Sequence, residues 1–257
     1  MTDTGIAAFA GDPKIRERIY DDLFSPALSN AGVALGNIFY LATTVTVPLA
    51  LLGRGANIWL ENSLKKYEEK IKEIPESDRV EVRPDIGVPI LENLSHTSDE
   101  KIGDLFIKLL EKGTNKQTAS LVHPKYIKII ETLSHDDAVV VNYLIKYLLN
   151  KGQNLACIQI RKKTMGGFEI LIDKFCGSEI LESMENPEQL SLTLDNLISL
   201  GLISIDFSTS FVKESLYDSL ISDKSIEEFT SNSEVYEIKK GILSITNLGA
   251  SFISTIW

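Results

Sequence analysis

Cys157-Ile-Gln-Ile-Arg-Lys-Lys-Thr-Met-Gly-Gly-Phe-Glu-Ile-Leu-Ile172 is the stretch in which the pattern of apolar residues changes from helical to alternating. Before it, apolar residues recur every three or four positions, which is typical of amphipathic helices. Within it, they alternate on both sides of the basic, Gly-rich segment 161–167, which predicts two strands joined by a hairpin turn. The stretch therefore separates a helical part of the chain from a part that contains β-structure.

The residues after this stretch predict the rest of an α+β domain that covers 156–257. A helix from Pro187 ends at Gly201, and residues 202–207 predict a strand. Residues 235–238 and 242–246 predict a second hairpin before a closing helix. This order of elements is that of a winged-helix-like domain.

The charge of this domain bears on its partner. The predicted recognition helix, residues 188–200, contains no Lys or Arg, and residues 187–257 carry ten acidic and four basic residues. A DNA-binding domain of this kind places basic side chains in the major groove and on phosphates. We therefore expect the domain to bind protein or to oligomerise, and we do not expect DNA as a partner.

Residues 76–155, upstream of the stretch, predict a compact helical module. Pro84 and the pair His123-Pro124 begin two of its helices, Ser98 caps another, and Ser134 caps a long one. A charged segment between Pro75 and Pro84 precedes the first of these helices and predicts a linker.

Residues 23–53 form a run of 31 residues without a formal charge. As a helix, such a run is long enough to cross a hydrocarbon layer about 30 Å thick. Gly32 and Gly36 have a spacing that allows two helices to approach closely in lipid, whereas Pro48 interrupts the run and predicts a helical hairpin. Two alternatives are open: the hairpin is buried by the chain or by another copy, or it enters a membrane. The residues that we nominate for this membrane or oligomer contact are Gly32, Gly36, Phe39, Tyr40, Val45, Leu49 and Leu52.

A long helix is predicted after this run. Its apolar residues have a 4-3-4-3 spacing, which is typical of a bundle or coiled-coil seam; they are Leu60, Leu64, Tyr67, Ile71 and Ile74. The seam packs within the chain or against a second copy, and both alternatives are open. The expected fold class is mainly α, with an apolar helical hairpin and long helix in 1–75, a helical module in 76–155 and a winged-helix-like α+β domain in 156–257.

The chain is acidic. Its 257 residues include 26 basic and 36 acidic residues, and the formal net charge is −10. This balance argues against broad binding to nucleic acid or to an anionic membrane, both of which need a positive face. The first residues lack the basic segment of a secretory signal. We therefore expect a cytoplasmic protein, and membrane association on activation is an open alternative.

The chain has two cysteines, Cys157 and Cys176, and no His lies near them at a ligand spacing. Reduced, buried thiols are the favoured interpretation, with a disulfide or a metal site as the alternatives.

A search for catalytic chemistry finds no Gly-rich phosphate loop followed by Lys, no H-E-x-x-H and no G-x-S-x-G. His135, Asp136 and Asp137 could form an acid–base group, but their position after Ser134 at a helix start favours N-terminal capping. We therefore expect a protein that is not an enzyme and that uses no cofactor and no metal. The remaining candidate site is the hairpin turn, where Arg161, Lys162 and Lys163 contact an anion, such as a phosphate or a lipid headgroup, or are solvated.

Several motifs together resemble one bacterial family. In the helical module they are Pro89-Ile-Leu-Glu-Asn-Leu-Ser-His96, Leu105-Phe-Ile-Lys-Leu-Leu110, Val122-His-Pro124 and Leu133-Ser-His-Asp-Asp-Ala138. Outside it they are residues 22–52, 197–202 and 245–252. These motifs are similar to those of the abortive infection alpha family and cover nearly the whole chain. The resemblance implies a role in defence against phage, in which an infected cell is halted or killed, and it brings no catalytic residue with it. Together with the charge-free run in residues 23–53, the resemblance leads us to expect a homo-oligomer whose further partners are a phage-derived trigger protein and a membrane.

Overall fold

The computed structural model describes residues 54–151 and 154–257, and the elements are numbered within that part of the chain. The described residues fall into two compact units. One contains the described residues up to Thr132 together with Thr255–Trp257, and the other is Leu133–Ser254.

Four helices build the first unit: α1 Arg54–Lys72, α2 Pro84–Leu94, α3 Glu100–Thr114 and α4 Pro124–Thr132. α3 is central, because it packs against each of the other three. Its cap is Asp99, whose carboxylate accepts hydrogen bonds from the backbone N–H groups of Lys101 at 2.8 Å and Ile102 at 3.1 Å. The cap predicted at Ser98 is therefore one residue too early.

The apolar seam of α1 packs against its own chain. Leu64, Tyr67 and Ile74 are buried. The Tyr67 hydroxyl shares a hydrogen bond of 2.6 Å with the Thr114 hydroxyl of α3, and Lys66 forms ion pairs with the first turns of the same helix. Of the two alternatives for this seam, packing within the chain is the one that these residues adopt.

The second unit combines helices with strands. Its elements are α5 His135–Lys151, β1 Leu155–Thr164, β2 Gly167–Phe175, α6 Ser178–Glu182, α7 Leu190–Ser199, β3 Ile203–Asp206, α8 Asp218–Ile221, α9 Glu227–Thr230, β4 Tyr236–Ile245 and α10 Asn247–Ile256. The four strands form one antiparallel sheet in the order β2-β1-β4-β3. β1 is an inner strand, and its first six residues are all buried, so both of its faces are covered.

Different segments cover the two faces of β1. Ala156, Ile158 and Ile160 form a cluster with Tyr217 and Ile226 from the connection between β3 and β4. α5 packs against β1, and α7 packs against β2 and β3. Because side chains alternate along a strand, this second face carries Cys157 and Gln159. The thiols of Cys157 and Cys176 are free and buried, as predicted; the hydrogen bond with Cys157 and burial raise the pKa of Cys176.

The predicted fold class, mainly α with a winged-helix-like domain, is wrong. The described chain ends in a domain built on one four-stranded antiparallel sheet, and the hairpin predicted from residues 235–238 and 242–246 does not exist. β4 is instead one strand of 10 residues that pairs with β1 from Leu155–Leu243 to Lys162–Tyr236. The apolar hairpin that the same fold class included, residues 23–53, lies outside the described residues.

Gly241 explains the error. In the sequence, Lys239-Lys240-Gly241 has the composition of a turn. In the structure Gly241 lies within β4, where a Cβ would stand 2.5 Å from the Phe207 ring. The glycine is required by an aromatic side chain that approaches from elsewhere in the fold, and not by a turn.

The division between the compact units falls at Leu133. α5 packs on β1 and α7 and so lies in the same unit as the sheet. The domain boundaries after residues 75 and 155 stay a prediction.

Candidate functional site

The β1–β2 hairpin carries the three basic residues that the sequence nominates for anion contact. Thr164 pairs with Gly167, so the turn consists of Met165 and Gly166. Because side chains alternate along β1, Arg161 and Lys163 lie on one face of the hairpin and Lys162 lies on the other. The structure therefore places the three residues side by side but does not direct them towards one point.

The three basic side chains of the hairpin have different contacts. The Arg161 guanidinium lies 5.8 Å from the centre of the Phe168 ring, and its Nε donates a hydrogen bond to Gln159 Oε1. Lys163 Nζ donates a hydrogen bond of 2.8 Å to the backbone oxygen of Ser233. Lys162 is exposed and lies opposite Glu169 in the ladder.

Large apolar side chains are exposed beside these cations. Met165 at the turn is fully exposed, and Phe168 and Ile170 are 54% and 53% exposed. The ladder pairs Phe168 with Lys163 and Ile170 with Arg161, so these four residues share one face. We refer to Arg161, Lys163, Met165, Phe168 and Ile170 as the hairpin surface.

A polar cluster lies on β2 beyond this surface. Asp173 and Lys174 both stand opposite Gln159, which makes a β-bulge, and Lys174 has a φ of 54°. Lys174 Nζ is in contact with Asp173, with Asp195 Oδ1 at 3.2 Å and with Ser191 Oγ at 3.3 Å. Lys174 therefore ties the bulge to α7.

Titration of this cluster follows from its contacts. Burial acts against the charge of Asp173, but hydrogen bonds from Lys174 and from Gln159 Nε2, at 2.7 Å, outweigh it and lower the pKa of Asp173. Burial likewise opposes the charge of Lys174, whereas Asp173 and Asp195 outweigh it and raise the pKa of Lys174. Both groups are thus held in their charged forms.

Sequence reasoning did not find this cluster. A regular strand would place Asp173 and Lys174 on opposite faces, so alternation gave no reason to group them. Only the bulge brings both residues opposite Gln159. No local sequence signal marks a bulge at this position.

The group His135, Asp136 and Asp137 begins α5, as the capping interpretation predicts. Ser134 Oγ accepts a hydrogen bond of 3.1 Å from the backbone N–H of Asp137, and Asp137 Oδ2 accepts one of 2.7 Å from the backbone N–H of Ser134. This reciprocal pair is a capping box with Asp in the place of Glu. Asp137 Oδ2 also accepts a hydrogen bond of 2.8 Å from Asn196 Nδ2 on α7.

Asp136 holds the loop between α6 and α7. Its carboxylate accepts hydrogen bonds from the backbone N–H of Glu185 at 2.8 Å and from the backbone N–H and Nδ2 of Asn186, both at 3.1 Å. Burial opposes the charge of Asp136, but these hydrogen bonds outweigh it and lower its pKa. Both carboxylates at this helix start therefore have structural tasks.

The two C-terminal motifs quoted above come together in space. Thr246 Oγ1 donates a hydrogen bond to the backbone oxygen of Gly201 and accepts one of 2.9 Å from the backbone N–H of Gly249. A Cβ on Gly249 would lie 2.0 Å from the backbone oxygen of Leu202. The end of β4 and the start of α10 are thereby fixed against the end of α7.

The nominated membrane or oligomer contacts, Gly32, Gly36, Phe39, Tyr40, Val45, Leu49 and Leu52, lie outside the described residues. Within residues 54–151 and 154–257, no helix is both long and apolar enough to cross a bilayer. In the same part of the chain, no three His, Cys, Asp or Glu side chains form a group that could hold a metal ion.

A comparison with protein families shows to which family the chain belongs. The family described as abortive infection alpha matches residues 59–256, which is most of the chain. The chain belongs to the abortive infection alpha family. Membership places it among proteins of abortive infection, a form of antiviral defence, and confirms the resemblance drawn from the motifs.

The family motifs in the described residues mark structural positions. The Leu133–Ala138 motif contains the capping box of α5, and the two C-terminal motifs contain the Thr246–Gly249 contacts. In the motif Val122-His-Pro124, His123 Nδ1 accepts a hydrogen bond of 3.0 Å from the backbone N–H of Lys125 at the start of α4. Each of these motifs therefore makes local contacts that hold a helix start or a chain connection in place.

Among curated proteins, none matches the chain. One solved structure does: an uncharacterized protein from the hydrocarbon-degrading marine bacterium Alcanivorax borkumensis SK2. It has 17% sequence identity and a TM-score of 0.32, and the match covers 55% of this chain and 94% of that chain.

Proposed function

We propose that this member of the abortive infection alpha family is a non-enzymatic effector, which acts through oligomerisation or triggered membrane insertion of its apolar N-terminal run. The observation that carries the proposal is the run itself, 31 residues without a formal charge in residues 23–53. As a helix, the run is long enough to cross a hydrocarbon layer of about 30 Å. Insertion on a phage signal would depolarise the infected cell.

The helix start of α5 supports the non-enzymatic part of the proposal. The sequence offers His135, Asp136 and Asp137 as its one acid–base candidate, and both carboxylates engage backbone N–H groups. Their chemistry is that of helix capping and loop attachment. We therefore expect His135→Gln to keep protection against phage, and loss of protection by a folded His135→Gln protein would argue for a hydrolase instead.

Cell fractionation tests the effector mechanism. Cells that express the protein are separated, before and after phage challenge, into a cytosolic pool and a membrane pool washed with carbonate. The double variant Gly36→Leu, Val45→Asp disturbs the close helix approach and adds a charge within the run, so we expect it to lose both membrane recovery and protection. The matched control Gly36→Ala, Val45→Ile keeps a small residue at position 36 and an apolar residue at position 45. It should behave as the wild type.

The outcomes separate the two forms of the effector. Recovery in washed membranes after challenge supports insertion. If the wild type stays in the cytosolic pool but sediments as an oligomer that the double variant does not form, the run is an oligomer interface. If neither pool nor oligomeric state changes and the double variant still protects, the run is not the effector.

A second candidate function is a regulatory module that recognises a phage protein or a nucleic acid. The observation that favours it is the hairpin surface, where cations and exposed apolar side chains lie together. Nucleic-acid recognition predicts binding that weakens steeply with salt and that Lys162→Gln, Lys163→Gln reduces. The effector proposal predicts no such effect on nucleic acid.

A further inference from the structure

We propose that the hairpin surface docks the protein on an anionic lipid bilayer, with Met165, Phe168 and Ile170 entering the acyl boundary and the neighbouring cations contacting lipid phosphates. This inference rests on the proposed function, because it supplies the step that brings an effector to its membrane. It concerns residues 161–172, whereas insertion concerns residues 23–53, so the two can fail separately.

Exposure of the apolar side chains is the first support. Met165 lies at the apex of the turn and is fully exposed, and Phe168 and Ile170 are about half exposed on one face of the hairpin. Three large apolar side chains within six residues form a patch of the kind that marks an interaction site. A hairpin apex can enter a bilayer boundary without opening the sheet behind it, since β1 pairs with β4 on its other side.

The positive charge of the hairpin favours an anionic bilayer as the partner of the hairpin surface. Residues 161–172 hold three basic residues and one acidic residue, although the chain as a whole has a net charge of −10. An anionic bilayer would therefore attract the hairpin and repel most of the remaining surface, which orients the molecule. The net charge of the whole chain argues against broad binding to such a bilayer. The hairpin is locally basic and is therefore an exception within an acidic protein.

The arrangement of Arg161 also fits a bilayer boundary. Its guanidinium lies over the Phe168 ring, so a cation and an apolar ring are stacked on the same face. At a lipid interface, such a pair allows the ring to meet the acyl region while the cation remains at the level of the headgroups.

An extended peptide that pairs with the open edge of β2 would be a competing partner. The bulges in β2 disfavour such pairing. Register shifts interrupt β2 at Leu171 and again at Asp173 and Lys174. Bulges of this kind twist a strand edge away from regular pairing, so only the first few residues of β2 present a regular backbone template.

Vesicle flotation with the full chain tests the proposal. The probes are vesicles of phosphatidylcholine with phosphatidylglycerol, and vesicles of phosphatidylcholine alone, each at low and high salt. We expect binding to the anionic vesicles that high salt weakens. Met165→Ser, Phe168→Ser should lower the partition coefficient at least about tenfold, and Arg161→Gln, Lys163→Gln should lower it about fivefold for each cation.

Matched substitutions elsewhere control for apolar area and for charge. Leu192→Ser changes a side chain on α7 that is 64% exposed, and Lys224→Gln changes an exposed lysine outside the hairpin. Both should bind anionic vesicles as the wild type does. Circular dichroism of every variant establishes that the fold is retained.

The outcomes also separate docking from insertion. If the hairpin variants bind as well as the wild type while Gly36→Leu, Val45→Asp abolishes binding, docking by the hairpin is overturned and insertion stands. In a second outcome, the hairpin variants lose salt-sensitive binding, whereas the Gly36→Leu, Val45→Asp protein still binds the vesicles and is washed off them by carbonate. This outcome supports docking independently of insertion. If the wild type binds neither vesicle and the hairpin variants still lose protection, lipid docking is overturned in favour of a protein partner.

Discussion

At the scale of single residues, Gly249 shows how one missing side chain holds an element in place. The backbone of α10 approaches Leu202 so closely that a Cβ at this position would meet its backbone oxygen at 2.0 Å and its carbonyl carbon at 2.9 Å. Backbone atoms cannot move aside as a flexible side chain can. The glycine is therefore required by close packing and not by an unusual backbone conformation.

This contact predicts opposite effects for the same substitution at two helical glycines. Gly249→Ala should lower the free energy of unfolding by about 3 kcal/mol, because α10 must move. Gly103→Ala is the matched control, since a Cβ there has no neighbour within 4 Å. In the helix interior it should raise stability by about 0.5–1 kcal/mol. Urea unfolding followed by circular dichroism measures both, and a neutral Gly249→Ala would contradict the close approach.

Asp136 predicts a dependence of stability on pH. Its pKa is lowered in the folded protein, so its contribution is fully present above the unfolded pKa of about 3.9 and is lost as the pH falls through the lower folded value. Asp136→Asn should cost about 2 kcal/mol at neutral pH, because hydrogen bonds from backbone N–H groups to a charged acceptor are weakened. Below the unfolded pKa, the difference between wild type and variant should shrink.

Urea unfolding at neutral and acidic pH measures this difference. The control is Asp218→Asn, an exposed position at the start of α8. A difference between wild type and Asp136→Asn that is as large in acid as at neutral pH would show that the carboxylate charge does not hold the loop.

At the scale of elements, Tyr217 anchors the connection between β3 and β4 to the sheet. Its hydroxyl donates a hydrogen bond of 3.0 Å to the backbone oxygen of Gly241 and accepts one of 3.0 Å from the backbone N–H of Phe211. The side chain is fully buried in the cluster that covers one face of β1. Tyr217 therefore ties the residues before α8 to the sheet, beside Leu220 of α8 and Ile226, which are buried in the same cluster.

Tyr217→Phe should remove both hydrogen bonds while keeping the ring. Because the buried backbone oxygen of Gly241 and the partly buried backbone N–H of Phe211 lose a partner, we expect a loss of about 1–3 kcal/mol in the free energy of unfolding. Hydrogen exchange should also become faster at the Phe211 amide. Tyr236→Phe serves as the control, since its ring meets Phe229 edge-on at 5.2 Å. Unchanged exchange at Phe211 would refute the anchoring role.

At the scale of the whole molecule, the net charge of −10 sets the expected behaviour towards nucleic acid. We expect no binding to a random DNA duplex at low salt in fluorescence anisotropy, because release of counterions requires a positive face that meets several phosphates. A basic DNA-binding protein is the positive control. Binding that falls steeply with salt, and that Lys162→Gln, Lys163→Gln abolishes, would favour the regulatory module over the effector.

The parts of the fold that sequence reasoning found are those governed by local interactions. The β1–β2 hairpin with its basic turn, α2 between Pro84 and Leu94, and the capping box at Ser134 are all encoded within a few residues of one another. Local propensity and periodicity are sufficient to predict such elements.

Elements that depend on distant residues were missed. The predicted second hairpin places its turn at residues 239–241, although the Phe207 ring from another segment accounts for Gly241. The bulge at Asp173 and Lys174 depends on pairing with Gln159 and on the contact of Lys174 with Asp195. The exposure of Met165, Phe168 and Ile170 also could not be predicted from the sequence, because alternation alone predicts a half-buried strand.

The position of β1 inside the sheet has a consequence for synthesis on the ribosome. β2 follows β1 directly, and a hairpin forms within about 1–10 μs, whereas β4 follows only after α6, α7, β3 and the connection 207–235. At about 5–20 residues per second, translation leaves the inner edge of β1 without its second partner for several seconds. A nascent chain that stops before Tyr236 therefore presents an apolar, unpaired strand to its neighbours, and stalled translation turns this protein into an aggregation-prone fragment.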